Sequence, residues 1–209
     1  MEPGITAALP SIALAGVLSW ASGFRLYAAL FIAGVLDRFH VVALPSDLAL
    51  LSHTPVLVVT GALLVVEFLV DKVPAVDSMW DSVQTFVRVP LGALLAWGVF
   101  AQAGPETQAI AAILGGAVAA GTHVAKAGTR ALVNTSPEPF SNWGLSFSED
   151  GVLLLGMWLA LKHPLVFVLL LALFVVLLLW LIPKLWRGVQ ALRRGFARLL
   201  SRGATPPSP

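Results

Sequence analysis

The stretch Ala21-Ser22-Gly23-Phe24-Arg25-Leu26 places an arginine inside an apolar run that extends from Pro3 to Leu36. A second stretch, Ala127-Gly128-Thr129-Arg130-Ala131-Leu132, places another arginine two residues after a glycine, at the end of an apolar run that begins near Thr107. A charged side chain in membrane hydrocarbon costs about 2.5–3.5 kcal/mol on insertion scales. Two arginines in matching settings predict a polar site inside a membrane protein built from two related halves.

The composition indicates the class of protein. Hydrophobic residues make up 58% of the chain and charged residues 11%, with a mean hydropathy of +0.88, whereas soluble domains carry roughly 25% charged residues. Pro164–Pro183 has no charge and is long enough to cross a hydrocarbon core of about 30 Å. The absence of cysteine excludes disulfides, thiolate metal sites and a catalytic thiol. We predict an all-α polytopic membrane protein in the lipid bilayer, without a cofactor.

Six apolar segments are predicted, and two of them do not have the length of one span. The segments are Ile5–Leu36, Pro55–Val70, Val83–Ala103, Thr107–Val133, Gly151–Leu161 and Pro164–Ile182. The first would be about 50 Å long as a straight helix, so it must tilt, protrude or break, and Ser19, Ser22 and Gly23 are the predicted position of a break. The fifth is shorter than the ~20 residues of a full span. It is therefore re-entrant, or its polar start at Ser148-Glu149-Asp150 is buried in protein.

The basic residues predict the orientation. Six of the 13 lysines and arginines lie at or after Lys184, and none of the 11 acids does. Because basic residues beside spans favour the cytoplasm, we predict that the C-terminus is cytoplasmic, and six crossings place the N-terminus there too, in a bacterial inner membrane. We predict one membrane domain over 1–185. The tail, 186–209, is an amphipathic helix on an anionic leaflet or a plain stop-transfer cluster, with a disordered end; its charge does not indicate nucleic-acid binding.

Internal similarity predicts a duplication. The two Gly-x-Arg motifs are 105 residues apart, and Ser52–Leu57 aligns with Ser148–Leu153 at an offset of 96. The order is preserved, and each half, about 5–103 and about 107–183, holds three segments. Halves with an odd number of segments have opposite topology, the inverted-repeat arrangement of many transporters. Glycine-rich helix faces leave room for a homodimer as well.

Six acidic residues are the candidates for ion or proton coupling. Glu67 and Asp71 share a helix face, and Asp77 and Asp81 repeat their spacing. Pro74 separates the pairs, so a helix–turn–helix would bring them together. Such acids could coordinate a cation of unknown identity through oxygen ligands or carry a proton, because crowded carboxylates raise one another's pKa. Glu149 and Asp150 complete this set, and a solvated loop with capping acids is the alternative for Asp77–Asp81.

Five residues are the candidates for binding a substrate. They are Arg25, Arg130, Ser136, Glu138 and Asn142. The prolines on both sides of Glu138 force an extended backbone, which at membrane depth persists only when it is buried in protein or lines water.

The predicted environments of the basic residues differ. We expect Arg25 to pair with Glu67, Asp71, Glu138 or Glu149, and a structural ion pair is the alternative to a substrate role. For Arg130 and Lys126 the alternative is snorkelling to the interface. His123 fits a packed polar residue better than a ligand.

Three stretches together carry a family resemblance. They are Gly23-Phe24-Arg25, Glu67…Asp71-Lys72-Val-Pro-Ala-Val-Asp77…Trp80-Asp81, and Asn134-Thr-Ser-Pro-Glu138-Pro-Phe-Ser-Asn142-Trp143. From about Trp20 to Leu161 the chain resembles the membrane family catalogued as domain of unknown function 4126. The resemblance implies a multi-span membrane domain and supplies no activity, substrate or site residue.

The residues themselves favour a small inverted-repeat transporter or channel. Its substrate would be a small solute, an anion among the candidates, coupled to a proton or a cation. The first alternative is a lipid-phosphate phosphatase or flippase, in which arginines clamp phosphate. The second is a scaffold whose polar residues only lock helices together. Familiar hydrolase and nucleotide-binding motifs are absent, so an enzyme is the weaker prediction.

Overall fold

Proline punctuates the helices of this chain. The computed structural model describes residues 5–133 and 139–202, without the side chains of 5–7, 74, 75, 78, 131, 132, 139, 142, 182 and 185–202. The helices are α1 (Ile5–Arg38), the 3₁₀ helix Ser46–Ser52, α2 (Thr54–Val70), α3 (Pro74–Val99), α4 (Pro105–Val133), α5 (Pro139–Lys162) and α6 (Pro164–Arg202). Four helices begin at a proline, whose fixed φ and missing N–H suit the first helical turn.

The helices confirm the all-α, multi-span prediction. Five of them are long and apolar enough to cross a membrane, and a sixth span results if the 3₁₀ helix and α2, which meet at 66°, count as one. Exposed apolar side chains such as Val65, Leu94, Ile113 and Leu154 fit contact with lipid. The described residues form two compact units, one ending at Leu171 and one beginning at Ala172.

Two predicted connections are shorter than expected. The predicted segments Pro55–Val70 and Val83–Ala103 leave 71–82 as a connection between spans, but α3 already begins at Pro74. Likewise α5 begins at Pro139, so 139–150 is helical. The short fifth segment is thus the second half of a 24-residue helix whose polar first half is buried in part, since Ser146 and Glu149 are inaccessible.

α1 breaks at the arginine itself. Arg25 has a non-helical backbone (φ −145°, ψ 83°), so the predicted break at Ser19, Ser22 and Gly23 is a few residues too early. Gly23 instead allows close helix contact, because a Cβ there would overlap the Ala119 carbonyl of α4. The break lies where the Arg25 side chain reaches its partners on other elements, which are described below.

α1, α3 and α4 form the closely packed centre of the first unit. A Cβ on Gly92 of α3 would lie 2.5 Å from the Ala119 Cβ, and one on Gly115 of α4 would lie 2.5 Å from the Ala96 Cβ. The Ser19 hydroxyl donates a hydrogen bond to the Gly92 carbonyl at 3.0 Å. Small residues permit such approach between membrane helices, where van der Waals contact replaces the hydrophobic effect. These three helices carry six of the ten charged side chains that are described next.

Candidate functional site

Charged side chains from five helices and one turn converge inside the first unit. We call them the charge cluster: Arg25, Glu67, Asp71, Asp77, Asp81, Arg88, Lys126, Arg130, Glu149 and Asp150. Nine of the ten residues are buried, and the Asp150 side chain is 30% exposed. Most of them lie at one end of the unit, where α2 and α4 end and α3 and α5 begin.

Arg25 joins α1 to the end of α2 and to α5. Its guanidinium lies 2.9 Å from an Asp71 carboxylate oxygen, 3.0 Å from Asp150 and 3.6 Å from Glu149. It also donates hydrogen bonds to the carbonyl (3.0 Å) and hydroxyl (2.9 Å) of Ser146. The side chain is fully buried, so these groups must compensate its lost hydration.

Arg88 of α3 forms the second node. Its guanidinium lies 2.8 Å from Glu67 of α2 and 2.7 Å from Asp81. It also lies 3.2 Å from His123 Nδ1. Because arginine can only donate, Nδ1 is the acceptor, and the hydrogen is on Nε2, which donates to the Thr85 hydroxyl at 2.6 Å. His123 is therefore held neutral in one tautomer and is a packed polar residue, as predicted.

The remaining cations come from α4. Arg130 binds Glu149 through both carboxylate oxygens, at 3.0 and 2.6 Å. It also donates to the Asp71 carbonyl at 2.8 Å and lies 3.8 Å from the Asp77 carboxylate. Lys126 lies 3.4 Å from Asp71 and 3.7 Å from Asp81. Asp71 thus faces Arg25, Lys126 and Arg130 at once.

The cluster contains more acids than cations. Six carboxyl groups face four cationic side chains, and the half-buried Lys72 at the margin is a fifth cation. The buried side chains alone, five acids and four cations, thus carry an excess of one carboxylate when all are ionised, and the partly exposed Asp150 and Lys72 add one charge of each sign. In a low-dielectric interior such an excess favours uptake of a proton or a cation.

The acids at the turn between α2 and α3 have shifted pKa values. Burial opposes ionisation of Asp71, but Lys126, Arg25 and Arg130 outweigh it and lower its pKa. Asp77 precedes the apolar part of α3, which begins at Met79. Burial, helped by the neighbouring acids Asp81 and Asp71, raises its pKa to about 7 despite the opposing Arg130.

No metal centre is formed by the residues described. Within 5–133 and 139–202, no three histidine or acidic side chains lie close enough together to hold a metal ion. The acids are instead separated by arginine and lysine groups, which is the arrangement of an ion-pair network.

The charge cluster lies within a region that matches a known protein family. A family described as Domain of unknown function (DUF4126) matches residues 12–184, which include every member of the charge cluster. The chain belongs to this family. No curated protein and no solved structure matches it. The DUF4126 match confirms the resemblance seen in the sequence and supplies no function for the cluster.

The predicted site residues fall into two groups. The six acids and both arginines of the prediction meet in the cluster, and the helix–turn–helix across Pro74 brings Glu67 and Asp81 onto the same guanidinium. Their functional roles stay predictions. Ser136 and Glu138 lie outside the described residues of the DUF4126 domain, as does the side chain of Asn142.

Two alternatives weighed for this DUF4126 chain are wrong. Arg130 and Lys126 do not snorkel to an interface, since they are 2% exposed each and pair with buried acids. Asp77 and Asp81 are not on a solvated loop but on buried turns of α3. Partners on other helices face Lys126, Arg130 and Asp77, whereas Asp81 pairs with Arg88 two turns later on α3 itself.

Sequence reasoning missed Arg88 as a site residue of the domain. Arg88 lies inside the predicted segment Val83–Ala103 and is fully buried. The signal was present in α3, where Asp77, Asp81, Gln84 and Arg88 recur every three or four residues. The opposite face exposes apolar residues, so α3 has its polar face inward, as expected of a membrane helix beside a polar centre.

Proposed function

We propose that the protein is a proton-coupled transporter of a small solute and that the charge cluster is its proton-binding centre. The observation that carries the proposal is the excess of acid in the charge cluster, whose buried members are five acids and four cations. Ionisable residues within membrane segments are expensive and recur in proton relays and ion pathways. Because the described acids form no metal site, a proton is the better counter-charge than a divalent cation.

The arrangement of the arginines constrains how an anionic solute would bind. Arg25 and Arg130 both engage carboxylates, so an anion would have to displace Asp71 or Glu149 from them. Protonation of a carboxylate weakens its hold on an arginine. Proton uptake would thus free an arginine for the solute, which couples the two ligands through one set of side chains.

The inverted repeat belongs to this proposal. Arg25 of the first half and Arg130 of the second share Asp71 and Glu149, which supports a relation between their settings. Their positions along the helices differ, however, because Arg25 lies well inside α1 whereas Arg130 lies in the last turn of α4. A duplication with later divergence of the second arginine accommodates both observations.

No specific observation favours either alternative function. A lipid-phosphate phosphatase or flippase needs arginines available to phosphate, and both arginines are engaged by acids. A pure scaffold would work best with a balanced network, whereas an excess of buried acid works against stability.

Reconstituted vesicles test the proposal. Purified protein is placed in liposomes with a trapped pH-sensitive dye, and an imposed pH gradient is combined with chloride, inorganic phosphate, sulfate or succinate outside. We expect proton movement above that of protein-free liposomes with at least one solute, and its loss in Asp77→Asn. Asp47→Asn and Glu106→Gln, which change exposed acids, serve as controls. Equal proton movement in wild-type and protein-free liposomes with every solute would overturn the proposal.

A further inference from the structure

Asp150 differs from every other acid of the charge cluster. Its side chain is 30% exposed, whereas those of Glu67, Asp71, Asp81 and Glu149 are 0–6% exposed. It is nevertheless joined to the interior, because its carboxylate lies 3.0 Å from the Arg25 guanidinium. A partly exposed group that contacts a buried charged network is suited to carry protons into it.

Near this acid lies an aromatic and cationic latch, formed by Lys72, Phe68 and Phe147. Lys72, in the turn after α2, places its ammonium 3.3 Å from the centroid of the Phe68 ring and 4.9 Å from that of Phe147. The two rings, from α2 and α5, meet edge to face with centroids 6.2 Å apart. Cation–π contacts of this kind are worth about 0.5–2 kcal/mol each, an energy that holds Lys72 on the rings and still permits α2 and α5 to separate there.

The latch is linked to the charge cluster through Ser146. Lys72 donates a hydrogen bond to the Ser146 hydroxyl at 3.4 Å, and the same hydroxyl accepts one from Arg25 at 2.9 Å. Ser146 lies one helical turn before Asp150 on α5, so both face the same neighbours. The charged groups that act on Asp150 are Arg25 from α1, Asp71 and Lys72 from the α2 end, and Glu149 on its own helix.

We propose that Asp150 is the residue through which protons reach the charge cluster, and that Lys72, held by Phe68 and Phe147, is the latch over it. This inference rests on the proposed function. In the step, the Asp150 carboxylate takes a proton from a hydronium ion, which becomes water, and passes it to the neighbouring Glu149, becoming a carboxylate again. Separation of α2 from α5 at the latch widens the path to Asp150, and closure of the rings narrows it.

The first experiment measures access without any transport. The chain contains no cysteine, so Asp150→Cys introduces a unique thiol whose labelling by a membrane-impermeant maleimide can be timed. We expect Phe147→Ala to speed this labelling at least threefold. Phe140→Ala, which changes an exposed phenylalanine of the same helix, should leave it unchanged, and Glu149→Cys should resist labelling. Equal rates with Phe147→Ala and Phe140→Ala would overturn the latch, and an unreactive thiol in both would overturn access through Asp150.

The second experiment leaves Asp150 in place and stays informative if its cysteine variant does not fold. A short thiol cross-linker joins Phe68→Cys to Phe147→Cys, and a matched pair joins Trp20→Cys to Phe167→Cys, whose rings are 6.3 Å apart. We expect the first link to slow proton movement at least tenfold, and the second to leave it unchanged. Unaltered movement after the first link overturns the latch, whereas absent movement in the wild-type protein overturns the proposed function instead.

Discussion

Replacement of Arg88 by methionine would leave two buried acids without their partner. The guanidinium is fully buried and lies 2.8 Å from Glu67 and 2.7 Å from Asp81. Removal of one member of a buried ion pair costs about 3–5 kcal/mol, because the remaining charge loses its compensation. In a chain of this size each kcal/mol shifts the melting temperature by about 2–4 °C. We therefore expect Arg88→Met to lower Tm by about 6–20 °C.

A second substitution separates charge from packing. In Arg88→Met combined with Glu67→Gln, one of the two orphaned carboxylates is gone, so the double variant should be more stable than Arg88→Met alone. Arg38→Met is the matched control, since Arg38 is exposed and makes one hydrogen bond, to the Ser52 carbonyl at 3.3 Å. A surface change of this kind stays within about 0.5 kcal/mol.

The assay is thermal unfolding of the purified variants in one detergent, followed by the loss of monodisperse protein on size-exclusion chromatography. If Arg88→Met melts within about 2 °C of Arg38→Met, then Arg88 does not hold α2 to α3, and the reasoning from buried ion pairs fails. If the double variant is less stable than Arg88→Met, the cost arises from lost packing and not from uncompensated charge.

Two further changes test the pKa of one acid and the close contact of the central helices. Burial raises the pKa of Asp77 from 3.8 to about 7, so the wild-type protein loses stability as the pH rises from about 4 to 7, and Asp77→Asn does not. Unfolding is measured for both proteins at about pH 5.5 and about pH 8, and the free energy of unfolding of Asp77→Asn relative to wild type should rise by about 2 kcal/mol between them. For the control Asp47→Asn we expect a constant difference from wild type. A constant difference for Asp77→Asn would contradict the raised pKa. Gly115→Ala should destabilise by about 1–3 kcal/mol, because its Cβ would lie 2.5 Å from that of Ala96. Gly128→Ala, with nothing within 4 Å, should gain up to about 1 kcal/mol, and equal Tm shifts would exclude the packing argument.

The parts of the site that the sequence predicts are those whose signal is local. Arg25 is recognisable because apolar residues flank it on both sides, and a lone charge in such a run needs a partner. The acids at the α2–α3 turn are recognisable from their four-residue spacing and from Pro74 between them. Each of these signals lies within a few neighbouring residues of the chain.

Arg88 and Asp150 show where that reasoning ends. Nothing near Arg88 in the sequence indicates that Glu67, 21 residues earlier, supplies its partner. The same holds for Arg130, whose interfacial and buried positions are equally compatible with the local pattern until Glu149 is placed beside it. Pairing between helices decides these cases, and it is a property of the packed chain. The exposure of Asp150, which distinguishes it from Glu149, likewise depends on the way α5 is rotated against α1.

The positions of the ion pairs along the chain also bear on the order in which the helices insert and pack. The pair Glu67–Arg88 lies within the hairpin of α2 and α3, and the pair Arg130–Glu149 lies within the hairpin of α4 and α5. Each hairpin can therefore leave the insertion machinery with one of its charges already neutralised. Arg25 pairs with no acid of its own helix, and its partners Asp71, at the end of α2, and Asp150, on α5, are both synthesised later, Asp150 by more than a hundred residues. We expect α1 to be the first helix made and the last to settle, with Arg25 retained in a polar environment until α5 arrives.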